Sequence, residues 1–370
     1  MKDRDANLST DSRVGQDETH MSSVTEIRGE HIRYLKWICF DTSRSGAAAS
    51  GVAIHRLFGP VLRIVVMLGG VTFILSLLSF FGGLWWCFDL LTHFQVFYLP
   101  ALAVSLAAAL ALRARTRIVL LSLGLAITTA RIAPLYLDQP ASPEGGARLS
   151  VASFNIYADN STPNEAIRYV RDSREDILVL LETETDWAKL VTEKTTGYRI
   201  VMSETRHGAF GMIVLAKIPL LSITPMYFER PNVVSAHIRL EFDGRPLSIL
   251  AVHTPPPGRP EGGSIRDRQY VKIAEWVKQQ SEPVIVIGDL NATAWSNPYR
   301  KLLDASGLVD SENGFGYQPT WPGTPCSMIP IDRCLHTPEI TAVDRFIGEH
   351  CGSDHAPLHV RLSWARNEGR

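Results

Sequence analysis

The sequence predicts an α-helical transmembrane region followed by an α+β domain, a four-layer α/β-β/α sandwich of two mostly antiparallel sheets. Three observations predict it. Composition changes along the 370 residues, from a polar segment (1–58) through a strongly apolar one (59–137) and a linker (138–147) to a mixed domain (148–370). Within that domain, β-branched runs alternate with stretches of helical spacing. Finally, Val234 to Glu241 and Pro246 to His253 flank Phe242-Asp243-Gly244-Arg245, a hairpin signal. A doubly wound parallel sheet has no need of that hairpin, whereas two packed sheets with helices outside do.

The apolar region is taken first. Ile64 to Phe88 contains no charged residue, and Phe94 to Leu112 is a second uncharged run. Each is long enough for a hydrocarbon core of about 30 Å, and Pro100 is tolerable inside a membrane helix. Ile118 to Leu137 is a third candidate, with Arg131 near its end, where a long side chain snorkels to the interface. Trp85, Trp86 and Tyr136 sit near segment ends, as interfacial aromatics do. Most of residues 1–50 read as disordered, with Ala47 to Gly51 as a small-residue linker, and the first apolar run begins too late for an ordinary signal peptide.

Loop charge gives orientation. Arg44, Arg56 and Arg63 precede the first run, and Arg113, Arg115 and Arg117 separate the second from the third, whereas Gly82 to His93 has no Lys or Arg. Positive loops stay inside, so three spans put the C-terminal domain outside the cytoplasm of a multi-pass membrane protein. Should the third run lie on the surface, the domain is cytoplasmic.

Through the domain, Leu149 to Ile156 reads as a strand, Asn164 to Arg174 as a helix opened by Pro163, and Asp176 to Glu182 as a second strand. Phe210 to Ala216 is a third strand and precedes the hairpin. Arg266 to Gln280 is an amphipathic helix, Pro283 to Asp289 a buried strand, and Asn297 to Ala305 a short helix. Ile331 to Leu335, Ile340 to Phe346 and Leu358 to Trp364 supply the late strands. No internal repeat is visible.

Chemistry gathers at strand ends. Pro283-Val-Ile-Val-Ile-Gly-Asp-Leu-Asn291 is a buried strand that delivers Asp289 and Asn291 just past its tip. Residues two apart share a face in extended chain, so both point into one cleft. Five further fragments end the same way: Phe154-Asn155, Leu181-Glu182, Val252-His253, Ile331-Asp332 and Gly352-Ser353-Asp354-His355. Burying such acids is costly unless a metal or hydrogen bonds offset it.

In the order and wording of these fragments, above all Gly-Asp-Leu-Asn and Ser-Asp-His, residues 148–364 resemble the endonuclease/exonuclease/phosphatase (DNase I-like) superfamily. The resemblance implies hydrolysis of a phosphoester with Mg²⁺ or Mn²⁺, an ion of oxygen ligands and octahedral geometry. It implies Asn155, Glu182 and Asp354 as metal ligands. Asp289 then orients or deprotonates water, and Asn291 holds that water or a phosphoryl oxygen. His355 stabilises the phosphate with Asp332 fixing its tautomer, and His253 contacts the phosphate or protonates the leaving oxygen. Glu184, two residues beyond Glu182, is an alternative ligand. Arg333 follows Asp332 where many relatives have histidine, so a structural ion pair is the alternative there. Leu181 stands where the family commonly has glutamine.

Other readings meet obstacles. His350, Cys351, His355 and His359 are dense enough to suggest zinc, yet Pro357 keeps His355 and His359 off one regular helix face. Cys326, Cys334 and Cys351 form no zinc framework; one disulfide among them and three free thiols are both open. A phosphate loop and a nucleophile elbow are absent. A non-catalytic binding module would be expected to lose some of the acids and histidines, and all are retained. Residues 138–370 hold 24 Lys and Arg against 29 Asp and Glu, a net charge of −5, which disfavours general attraction to nucleic acid. The densest basic group is Arg259, Arg266, Arg268 and Lys272, with Arg206 and His207 as another candidate phosphate contact. A lipid or envelope phosphoester is therefore favoured over nucleic acid as partner.

Overall fold

A computed structural model describes residues 45–137, 146–322 and 328–365, with side chains from Phe58 onward. The disordered segment expected before residue 45 and the linker over 138–145 lie outside the described residues, as do Cys39 and Cys326. Ala47 to Gly51 is helical rather than a linker: it opens α1 (Ser45–Leu78), followed by α2 (Trp86–Leu90), α3 (Gln95–Ala111) and α4 (Arg115–Ile132). Compact units divide at Ile64, and apart from the start of the first apolar helix everything below concerns Val65 onward.

Three helical stretches, Phe58–Phe81, Trp86–Ala111 and Arg115–Leu135, are long and apolar enough to cross a membrane. Met67, Val71, Ile74, Val104, Val119 and Leu123 turn apolar side chains outward, as lipid-facing positions do. The first expected boundary was too late. Helix gives way after Phe81, at Gly82-Gly83, poor helix formers, and Trp86 to Phe88 belong to the second stretch.

The domain is built as two sheets of six strands. The first has the order β11-β12-β1-β2-β4-β3 and contains β1 (Leu149–Asn155), β2 (Ile177–Leu181), β3 (Arg199–Glu204), β4 (Met212–Ala216), β11 (Ile340–Ile347) and β12 (Leu358–Trp364). The second has the order β5-β6-β7-β8-β10-β9 and contains β5 (Ser222–Met226), β6 (Ser235–Phe242), β7 (Arg245–His253), β8 (Val284–Asp289), β9 (Val309–Asp310) and β10 (Asp332–His336). The two sheets share one pattern. A central parallel pair, β1/β2 or β7/β8, is flanked on both sides by two antiparallel strands. This internal duplication is invisible in the sequence.

Alternation along the strands sorts side chains into layers. Val151, Val179, Ile249 and Ile285 face the opposite sheet in one core, while their neighbours Ala152, Leu178, Leu250 and Val286 face outward. Outside the first sheet, α5 (Pro163–Asp172) and α6 (Thr185–Lys194) contribute Ile167, Val170, Trp187 and Val191. Outside the second, α7 (Pro260–Lys278) and α8 (Asn297–Ser306) contribute Tyr270, Ile273, Tyr299 and Leu302. Helix α7 starts six residues before the expected Arg266, because Pro260 is admissible in a first helical turn. Cys334 and Cys351 are buried in different layers as free thiols, so they are not paired with each other.

The apolar helices and the domain are joined by buried polar contacts. Asp89 accepts from Arg266 Nη2 (2.9 Å), Ser296 Oγ (3.0 Å) and the Asn297 backbone N–H (2.8 Å). Arg131 does not snorkel. It donates to Ser79 Oγ and the Trp295 carbonyl and lies over the Phe80 ring, while Trp295 Nε1 donates to the Arg131 carbonyl. Ile132 and Leu135 pack on Trp295.

Within the second sheet, Glu282 ties β6, β7 and the entry to β8 together. It accepts two bonds from Arg239 (2.8 and 2.9 Å) and one from Ser248 Oγ (2.5 Å). Arg239 holds its carboxyl down to about 2, from an ordinary 4.5. A carboxylate depressed by folding stabilises above its unfolded pKa, and that contribution disappears as pH falls through the folded value. Glu282→Gln is therefore expected to flatten the acid-side loss of thermal stability between pH 4.5 and about 2. Melting curves across that interval check it, and an unchanged slope would discount the pair.

Candidate active site

Both parallel pairs end at the same edge of the sandwich, and their carboxyl ends supply the site. Asn155 ends β1, Glu182 follows β2, His253 ends β7 and Asp289 ends β8. Antiparallel pairing sets Asp332, the first residue of β10, directly across from Asp289. His355 lies three residues before β12. Glu182, His253, Asp289, Asn291, Asp354 and His355 line one cavity of about 450 Å³. Asn155 and Asp332 stand behind them, each 1% exposed. All eight residues singled out in the sequence thus converge.

Their contacts form one network. Asn155 Nδ2 donates to Glu182 Oε1 (2.9 Å) and Asp289 Oδ2 (3.4 Å), and the Ala158 N–H donates to Glu182 Oε2 (3.2 Å). His355 Nδ1 is 2.8 Å from Asp332 Oδ2, with His355 Nε2 3.8 Å from Asp289 Oδ2. His253 Nε2 lies 3.5 Å from Asp289 Oδ2 and 3.9 Å from Glu182 Oε1. Trp321 Nε1 donates to Asp354 Oδ2 (3.1 Å). Ser353 Oγ donates to the Asn155 carbonyl (2.6 Å) and accepts from the His355 N–H, fixing the loop before β12 to the end of β1 within the first sheet.

The local backbone is strained where the side chains are used. Glu182 (φ 59°) and Asn291 (φ 49°) both occupy the left-handed region, which costs a non-glycine residue about 1–3 kcal/mol. Local bonds hold them: Asn291 N–H donates to Asp289 Oδ1 (2.8 Å) and its Nδ2 to the Thr254 carbonyl (2.7 Å). Gly288, with φ 145°, sits so close to β7 that a Cβ would lie 1.8 Å from the Val252 carbonyl oxygen.

Burial and neighbouring charge split the two histidines. Burial, with help from nearby His355, pushes His253 down to about 4, so it is a neutral imidazole. Burial also opposes a charge on His355, but Asp332, Asp289 and Asp354 outweigh it and push it up to about 10. Burial and then Asp332 push the Asp289 carboxyl well above the usual range, and burial raises Asp354. Four acids therefore share a site where one imidazolium answers them.

Donor chemistry favours a cation here. The Oδ1 atoms of Asp354 and Asp332 are buried without a hydrogen-bond donor. Among the described residues, Asp289, Asp332 and His355 also place one ligand atom each within 4.8 Å of one another. Oxygen-rich, acidic and buried, the set fits a hard divalent ion.

Several alternatives left open by the sequence are resolved. Glu184 turns away and accepts from the Gly208 N–H (2.8 Å). Arg333 points to the other face of β10, where it pairs with Glu312 and Asp310, and leaves Asp332 to His355. The zinc-like group is scattered, since His359 bonds Glu175 and Tyr169 while His355 bonds Asp332. Arg206 and His207 do not line the cavity; Arg206 turns to Glu204 and Tyr227. Sequence reasoning missed Trp321 and Thr254, which carry no motif. It also missed Leu90, His93 and Phe94, which line the cavity from the apolar helices.

A two-sheet sandwich with acids and histidines at the shared end of both parallel pairs is the architecture of a class of metal-dependent phosphoesterases. The chain belongs to the endonuclease/exonuclease/phosphatase family, whose pattern matches residues 152–355. Similar solved structures include D. rerio TDP2 complexed with single strand DNA product (16% identity, 58% of this chain and 99% of that chain, TM-score 0.48). Others are the Bacteroides thetaiotaomicron mannosyl-6-phosphatase Bt3783 (17%, 58% and 100%, 0.47) and the human Nocturnin catalytic domain (16%, 59% and 94%, 0.46). No curated protein matches.

Gly288→Ala is expected to lower stability by about 2–4 kcal/mol and to abolish any activity, because the new methyl group forces β7 and β8 apart at His253 and Asp289. Thermal melting and turnover measured on the same preparation check this. Wild-type melting would remove the close packing at Gly288 from the account.

Proposed function

We propose that this protein is a membrane-anchored, divalent-metal-dependent phosphoesterase, acting on a lipid or envelope phosphoester in preference to nucleic acid. The observation that carries the reading is the convergence of Glu182, Asp289, Asp354, His253 and His355 in one cavity with Asp332 directly behind it, the Oδ1 atoms of Asp354 and Asp332 being buried and unanswered. Asn155, Glu182 and Asp354 would hold Mg²⁺ or Mn²⁺, which would supply neutralisation of phosphoryl charge and activation of water. Asp289 orients that water and takes its proton. Asn291 holds the water or a phosphoryl oxygen. His355, kept charged by Asp332, stabilises the developing negative charge. His253 sits across from it at the phosphate or leaving oxygen.

Substrate preference is supported by where the cations go. Arg266 is buried on Asp89, and Arg268 and Lys272 both pair with Glu229. The basic group expected to hold a phosphate backbone is thus largely committed within the protein, while nucleic-acid binding depends on such groups being open. Orientation has support as well. The domain packs against Asp89 and Arg131, at the opposite end of the second and third apolar stretches from Arg113, Arg115 and Arg117. With those arginines inside, the domain is extracytoplasmic.

Turnover of a panel of phospholipids, sphingomyelin, inositol phosphates, RNA and DNA should vanish with chelator and return with Mg²⁺ or Mn²⁺. Asp289→Asn should abolish it irrespective of metal, while excess metal should partly rescue Glu182→Gln. Chelator-resistant turnover would sink the metal reading. Rescue of Asp289→Asn but not of Glu182→Gln would exchange the two roles, and an ion found against Asp289, Asp332 and His355 would move the metal to that group.

Alkaline phosphatase fused after Arg370 should be active, as an exported reporter is. An inactive fusion, fluorescent when replaced by a cytoplasmic reporter, would mean that the third stretch does not cross, and nuclease candidates would regain ground.

A further inference from the structure

The cavity is not built by the family's domain alone. Leu90, His93 and Phe94 line it, although they lie on the apolar stretch Trp86–Ala111, outside the matched residues 152–355. This piece is firmly placed. Asp89, just before it, is satisfied by Arg266, Ser296 and Asn297, and Arg266 also donates to the carbonyl of Asn291 (3.3 Å).

His93 differs from its neighbours. It is 5% exposed, and its Nδ1 lies 3.0 Å from Thr293 Oγ1, yet its Nε2 is buried with no partner. A buried polar atom left unmade costs about 1–3 kcal/mol, and protein interiors rarely retain one without a use. Beside it, Leu90 and the half-exposed Phe94 continue an apolar wall with Pro256, Pro257 and Ile329. One wall of the cavity is therefore apolar, carries a single unanswered hydrogen-bonding atom, and is continuous with a helix of membrane-spanning length.

We propose that Leu90, His93 and Phe94 form a substrate subsite for the lipid portion of a membrane phospholipid. Resting on the phosphoesterase reading, this assigns the acyl chain to Leu90 and Phe94. It assigns a polar linkage atom, such as an ester carbonyl, to His93 Nε2. The phosphate then reaches the acids and His355, and the membrane segment acts as a specificity element rather than a tether only. Committed cations and an apolar wall both disfavour a polynucleotide in the same place.

The test uses the full chain in nanodiscs with Mg²⁺, carrying Asp289→Asn to suppress turnover. Dissociation constants are measured by calorimetry for dihexanoyl phosphatidic acid and for methyl phosphate. The lipid is expected to bind at least about tenfold more tightly. Leu90→Ser with Phe94→Ser, and separately His93→Ala, should each remove most of that preference and leave methyl phosphate unchanged. His93→Gln, which keeps a donor, should retain most of it. Equal affinity for the two probes, full preference in the Leu90/Phe94 and His93→Ala variants, or equal weakening of both probes would each overturn the subsite. Absence of any metal-dependent methyl phosphate binding would instead sink the phosphoesterase reading itself.

Discussion

Parallel strands at the centre of a sheet need cover on both faces, and that requirement organises the domain. Each sheet has one parallel pair, and each pair receives two helices outside and the other sheet inside. Because a parallel pair sends both strands in one direction, its two carboxyl ends emerge together. Stacking two such pairs brings four strand ends to one edge, carrying Asn155, Glu182, His253 and Asp289. The site is a consequence of the layering, and neither half of the duplicated fold holds a complete one.

That edge concentrates acidic side chains where they are buried. Asp332 spends its Oδ2 on His355, which keeps one positive group among the acids, while His253, buried on the opposite side, stays neutral. Two imidazoles a few ångströms from the same Asp289 thereby acquire different chemistry from their surroundings alone. Left-handed backbone at Glu182 and Asn291 shows that local preference yielded to the position of the side chain.

Much of this was legible. Strand-end acids could be read because a buried strand has a plain apolar signature and its last residue stands out against it. The hairpin over β6 and β7 was likewise written in Asp243-Gly244. Strands β3 and β5 were not seen, since both lie at sheet edges and are half exposed, with Pro225 inside β5, so neither shows clean alternation. Glu182 was favoured over Glu184 by motif position alone, since the left-handed turn at Glu182 that separates their faces carries no sequence signal. Asp89 and His93 read as loop residues, for their partners lie 177 and 200 positions further along. No local pattern reports a contact across that distance.

The Asp89–Arg266 pair has a further consequence, for the order in which the protein is made. Asp89 is synthesised well before Arg266 and must pass the intervening time as a hydrated acid at the edge of an apolar helix. Arg266 brings a carboxylate of its own, since it also bonds the half-exposed Asp267 (2.9 and 3.0 Å), but Asp89 is the partner buried with it. Burial of Asp89 therefore depends on contact between the apolar helices and α7. The contact ties a residue near the start of the chain to one 177 positions later, so the burial of Asp89 is completed only after α7 has been made.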